Sequence, residues 1–204
     1  EVFWAYRAYI KKRFEKWPYA LKAAGLSRSA GKGGKSVEQM EREAAELARQ
    51  AEAVILFLGI PECFESEWLD RDHLALPDNQ VRALEAVTQA NPNVAVVLAG
   101  GGVLELPWLD RCKALLHGYL GGQAGAGAAA DLLTGKVAPS GRLAETFPLR
   151  LEDTPAYLNF PGDGDNVNYA EGIYVGYRYY DKRKLPVRFP FGHGLTYTTF
   201  RYDN

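Results

Sequence analysis

Two uninterrupted apolar runs, residues 53–60 (AVILFLGI) and 93–100 (NVAVVLAG), limit the fold of this chain more than any other feature. Each is rich in aliphatic and β-branched residues, is short for a helix, and lacks the polar alternation of a strand with one wet face. Such runs are expected of parallel strands covered on both faces. Between them, residues 78–90 read as a helix that must end near Asn91-Pro92, because proline pushes the residue before it out of the α region. Strand, crossover helix and second parallel strand make a right-handed unit.

The pattern continues on both sides. Ser36 and Gln39 have capping-box spacing, and Val37, Met40, Ala44, Leu47 and Ala51 share one face, so a helix is expected before the first strand. Residues 113–120 read as a third strand, and residues 122–134 as a small-residue helix stopped by Gly135. Gly100-Gly101-Gly102 is expected to turn at a strand end with positive φ. The alternation predicts an α/β fold with a mostly parallel sheet. After Arg142 the texture shifts to Pro, Gly, Tyr and Asp, which predicts a loop-rich tail with short β pieces at residues 142–147 and 173–180. Residues 1–35 read as a separate unit. Phe3, Tyr6, Ile10, Phe14 and Trp17 form one face of an amphipathic helix, interrupted at Pro18, and a flexible linker rich in Ser, Gly and Lys follows. Residues 36–204 are then one domain.

The chemistry is expected just beyond the first strand, where ligands of open α/β sheets bind. There Glu65-Ser66-Glu67-Trp68-Leu69-Asp70-Arg71 places three carboxylates and an arginine together. A carboxyl group desolvated by a neighbour such as Trp68 has a raised pKa and can serve as a general acid. The plainer alternative makes Asp70 and Arg71 a surface ion pair, leaves Glu65 and Glu67 solvated, and uses Trp68 to cap the core.

Other chemistries find little support. With 24 basic and 25 acidic residues, the net charge of −1 gives no electrostatic reason to bind nucleic acid or an anionic membrane. No apolar stretch is long enough to span a bilayer and no signal-peptide pattern opens the chain, which therefore reads as soluble with its compartment open. The start at Glu1 and the single methionine, Met40, suggest a processed chain or a piece of a longer one. Cys63 and Cys112 make neither a disulfide framework nor a zinc site, and no pair among His73, His117 and His193 has metal-ligand spacing. Neither metal nor cofactor is expected. Gly31-Lys32-Gly33-Gly34-Lys35 lacks the Walker spacing, and no Gly-x-Ser-x-Gly elbow occurs. The glycines of Gly125-Ala126-Gly127, with Glu145 about twenty residues downstream, fall inside a helix and are better explained by close helix–sheet packing. Tyr174, Tyr177, Tyr179 and Tyr180 can stack on sugars, but packing is the favoured role.

The acidic loop, followed by Leu74-Ala75-Leu76-Pro77-Asp78-Asn79-Gln80, resembles the acid/base loop in the C-terminal domain of family 3 glycoside hydrolases. Further segments agree in order: Leu106-Pro107-Trp108-Leu109-Asp110, Tyr119-Leu120-Gly121-Gly122-Gln123, Ala138-Pro139-Ser140-Gly141-Arg142-Leu143, the run from Tyr169 to Tyr180, and the run from Phe189 to Tyr197. The resemblance covers roughly residues 37–204. It implies a three-layer α/β sandwich with helices on both faces, belonging to a retaining β-glucosidase-type enzyme that releases terminal non-reducing β-D-glucosyl or related residues. In such enzymes two carboxylates about 5 Å apart act as nucleophile and acid/base. The family's acid/base maps onto Glu67, while Glu65, Trp68, Asp70 and Arg71 become substrate-loop candidates. Trp68 stands where the family usually has glycine. The family's nucleophile is an aspartate of a (β/α)8 barrel outside these 204 residues, so a barrel domain or chain is the implied partner. A fibronectin-like domain is expected to follow near Asn204. The alternative is a non-catalytic carbohydrate-binding or protein-interaction module derived from the same domain.

Overall fold

The computed structural model describes residues 36–67 and 70–203. The N-terminal helix and linker expected at residues 1–35, and Trp68, lie outside these. Helix α1 (Val37–Gln50) opens with the expected capping box: Ser36 Oγ accepts from the Gln39 N–H at 3.2 Å, and Gln39 Oε1 accepts from the Ser36 N–H at 2.8 Å. Strands β1 (Val54–Gly59), β2 (Val94–Ala99) and β3 (Ala114–Tyr119) form a parallel sheet in the order β1-β2-β3. Helix α2 (Asp78–Ala90) joins β1 to β2 and leaves the helical region at Asn91, as the following proline requires. Arg82 of α2 ties it to α1 through Glu41 at 2.9 Å and Glu38 at 3.6 Å.

The core lies between these helices and the sheet, where Leu84, Val94, Val96, Leu98, Leu104 and Phe147 are removed from water. Burial of such aliphatic side chains, each worth about 1.5–3 kcal/mol, dominates the stabilisation. Val94, Val96, Val97 and Leu98 are all buried, so β2 is covered on both faces as its sequence predicts. On β1, by contrast, Ile55 and Phe57 are exposed by 50% and 65%. At the amino end of the sheet the buried Asn91 donates from Nδ2 to the Ala48 and Ala51 carbonyls (2.9 and 2.8 Å) and accepts the Asn93 N–H at 2.8 Å. One side chain therefore fastens the end of α1 to the entry of β2.

Three local expectations are corrected. The segment 173–180 is not β: helix α4 (Tyr177–Arg183) forms there, set off by Gly176 at φ 54 and closed by Lys184 at φ 53. The β preference of its tyrosines reflects half-buried pleated surfaces, and this segment joins none. Helix α3 (Gly125–Leu133) buries no residue, and a Cβ on Gly125 or Gly127 would meet open space, so close packing does not explain those glycines. Gly135, at φ 73, does end that helix. Finally, none of Gly100, Gly101 and Gly102 adopts a positive φ. The β piece expected at residues 142–147 survives as a single antiparallel bridge between Phe147 and Phe189.

Candidate active site at the carboxyl end of the sheet

The root of the acidic loop is set by α2. Gln80 donates from Nε2 to the Gly59 carbonyl at 2.7 Å and accepts the Gly59 N–H on Oε1 at 2.9 Å. This completes the last residue of β1 as a neighbouring peptide group would. The chain then turns at Pro61, whose carbonyl accepts from the Phe64 and Glu65 N–H groups. Both Glu65 carboxylate oxygens accept the Gly101 N–H, at 2.8 and 3.0 Å. Beyond Glu67, Arg71 Nη1 donates to the Val103 carbonyl at 3.1 Å, and the Glu105 N–H donates to the Leu74 carbonyl at 2.8 Å. Leu74 and Leu76 are buried. The loop is thus fastened before and after Glu67 to the segment that leaves β2, while Glu67 and Asp70 are exposed.

The structure therefore separates the sequence candidates. Glu65 is engaged with backbone rather than solvated, and Arg71 is half-buried and faces Glu65 and Glu145 rather than pairing with Asp70 on the surface. Burial lowers the Arg71 pKa, while the charges of Glu65 and Glu145 hold it up. The Glu145 carboxyl is pushed above its ordinary range by burial, against the pull of Arg71 and with added repulsion from Glu65. Burial likewise lowers the pKa of His117 and raises that of Tyr119. The rings of these two residues lie 4.0 Å apart, and His117 meets Phe147 edge-on at 5.4 Å. His117 Nδ1 and Nε2, Tyr119 Oη and Arg71 Nη2 are buried without a well-formed hydrogen bond, although His117 lies by the Leu98 backbone and Tyr119 by that of Ala144.

Sequence reading put Gly101 at a strand end and Gln80 in the motif after the acidic loop, but assigned neither a contact there and gave Glu145 no place at this end. Gln80 closes the family motif that follows the acidic loop, and the glycine run marks a close approach instead of a special φ. A Cβ on Gly101 would lie 2.8 Å from Glu65 Oε1. Cys63 and Cys112 are both free thiols. Among the described residues, no group of three or more His, Cys, Asp or Glu side chains is placed to hold a metal ion, and no helix is long and apolar enough to cross a membrane.

Two hollows lie away from the loop. The larger, about 830 Å³, sits between α1 and α2 among surface charges such as Glu41, Glu46 and Arg49. The smaller, about 330 Å³, is lined by Asn159, Glu171, Tyr174, Tyr179, Lys182 and Arg183. The tail tyrosines divide between roles: Tyr180 is buried, Tyr177 stacks on Phe191 at 5.0 Å, and Tyr174 lies beneath the Lys182 ammonium.

The family model described as Glycosyl hydrolase family 3 C-terminal domain matches residues 4–197. Thermostable beta-glucosidase B of Acetivibrio thermocellus is 50% identical over 167 residues, which are 82% of this chain and 22% of that protein. An exo-alpha-(1->6)-L-arabinopyranosidase of Bifidobacterium longum is 48% identical over 162 residues, 79% of this chain and 21% of its own length. The crystal structure of a beta-glucosidase from Kluyveromyces marxianus in complex with glucose matches with a TM-score of 0.79 at 41% identity, covering 81% of this chain and 20% of that one. The chain spans about a fifth of the length of these proteins.

Proposed function

Because the chain belongs to glycosyl hydrolase family 3, as its C-terminal domain, we propose that it supplies the acid/base of a retaining β-glucosidase-type hydrolase, with Glu67 in that role. The substrate is a terminal non-reducing β-D-glucoside or a related glycoside. The observation that carries this reading is the position of Glu67, exposed on a loop at the carboxyl end of a parallel sheet and held on both sides of the residue. A carboxyl group so placed is open to a sugar presented by a second domain. An aspartate of a (β/α)8 barrel attacks the anomeric carbon as Glu67 protonates the departing oxygen. Glu67, now a carboxylate, then takes a proton from the water that releases the sugar. Asp70 follows the acid, exposed on the same loop. Support for a docked barrel comes from the tail, where Tyr169, Leu195 and Ile173 are exposed by 86%, 78% and 70%. A self-contained binding module would present a more polar surface.

The test uses the chain joined to its barrel. Glu67→Ala is expected to slow cellobiose hydrolysis on the order of 10²–10⁴-fold, and dinitrophenyl glucoside cleavage far less, because that leaving group departs without a proton. Added azide should restore the second step. Residues 1–204 alone should hydrolyse a nitrophenyl β-glucoside no faster than buffer. Equal losses on both substrates would remove Glu67 from the role, and saturable sugar binding without turnover in the assembly would favour the binding module.

A further inference from the structure

We propose that Glu65 and Gly101 form one contact that positions Glu67, so that Glu65 acts through the loop backbone and not on the sugar. The inference rests on the acid/base role of Glu67. Both Glu65 oxygens are taken up by the single Gly101 N–H, at 2.8 and 3.0 Å, across 36 residues of sequence. Two residues of chain span at most roughly 7 Å, so this anchor fixes where the Glu67 backbone begins. The second anchor, Arg71 to the Val103 carbonyl, grips the same segment two residues further on. Arg71 also lies in the field of Glu65 and Glu145, which places the two anchors side by side.

The far side of the contact is as specific as the near side. A Cβ on Gly101 would lie 2.8 Å from Glu65 Oε1 and 3.2 Å from its Cδ. Those atoms are the free end of a flexible side chain, so a methyl group there displaces the carboxylate and leaves the backbone in place. Gly101 has no positive φ, which removes any conformational objection to alanine. Glycine at 101 is therefore required by the carboxylate it faces. An acid displaced by about 1 Å from its leaving group loses up to about 10²-fold in rate, so a loop anchor of this kind is felt in catalysis.

The experiment compares Glu65→Ala, Gly101→Ala and the double variant in the barrel-containing enzyme, with Glu67→Ala as reference. Each single variant is expected to lower kcat/KM for cellobiose on the order of 10- to 100-fold and to stay within about threefold of the parent on dinitrophenyl β-glucoside. The double variant should be no worse than either single one, since both break one contact. Glu65→Gln, which keeps an oxygen for the Gly101 N–H, should recover most of the cellobiose activity. Equal losses on the two substrates, or losses that multiply in the double variant, would overturn the proposal. If Glu65→Ala does not fold, Gly101→Ala and Glu65→Gln decide the matter by the same substrate ratio. Should Glu67→Ala itself show no dependence on the leaving group, the acid/base role fails and the positioning role with it. A normal dependence in Glu67→Ala with none in the anchor variants sinks the positioning role alone.

Discussion

At the amino end of the sheet, Asn91 uses both amide protons and its carbonyl oxygen to join α1, α2 and β2, whereas at the carboxyl end Arg71 Nη2, both His117 nitrogens and Tyr119 Oη are buried without a good partner. A buried polar group left unpaired costs about 1–3 kcal/mol, and native folds retain few of them. Four such atoms beside a carboxyl pushed upward at Glu145 and an arginine depressed at Arg71 fit the chemistry proposed for that end. The other end is arranged to hold the strands in register. With the proposed function, stability and chemistry divide between the two ends of three six-residue strands.

Asn91→Ala tests the stable end and carries the larger effect. It leaves the Ala48 and Ala51 carbonyls and the Asn93 N–H without this partner, and is expected to cost about 3 kcal/mol in urea denaturation. A loss under about 1 kcal/mol would mean that water repairs the site, and the contrast between the ends would go. Tyr119→Phe tests the other end. Its hydroxyl has no well-formed partner, so its removal should be neutral or stabilising by up to about 1 kcal/mol. A clear loss would place a partner on Oη.

The smallest effects are read from pH. Burial depresses His117 below its ordinary 6.5, so below that pH the unfolded chain takes up a proton that the folded one refuses. Stability is therefore lost as pH falls from about 6.5 towards the folded value, and His117→Leu should flatten that loss. Glu145 has the opposite sign. Its raised carboxyl holds a proton longer when folded, so its contribution is full below 4.5 and is lost as pH rises through the folded value. Glu145→Gln should remove that second slope and leave the first. Melting temperatures across a pH series separate the two, and one slope shared by both variants would mean that the groups titrate as a unit.

The elements whose order is written in local pattern were legible. The apolar runs gave β1 and β2 within a residue at each end, Ser36 and Gln39 gave the start of α1, and Pro92 the end of α2. The loop at residues 65–71 was legible as a place, from its position after β1 and from the family motif. Its internal division was not. The Glu65–Gly101 contact spans 36 residues and Arg71–Val103 spans 32, and no local pattern announces either. Asn91 read only as a stop before proline, since its three hydrogen bonds depend on where α1 ends. At residues 173–180 the aromatic composition pointed to strand, but Gly176 and Lys184 in the left-handed region isolate a single short helix. Backbone geometry at two positions outweighed the composition of eight.

Gln80 joins two clocks that would otherwise run apart. The Ile60 N–H points to β2, bonding the Ala99 carbonyl, so the Gly59 N–H one residue earlier points the other way, towards solvent if α2 were absent. Gln80, in the first turn of α2, closes it. Release of that amide to water therefore waits on the opening of a helix rooted in the core by Leu84 and Val87, instead of on the fraying of an edge strand. The loop that carries Glu67 consequently inherits, at its root, the lifetime of α2.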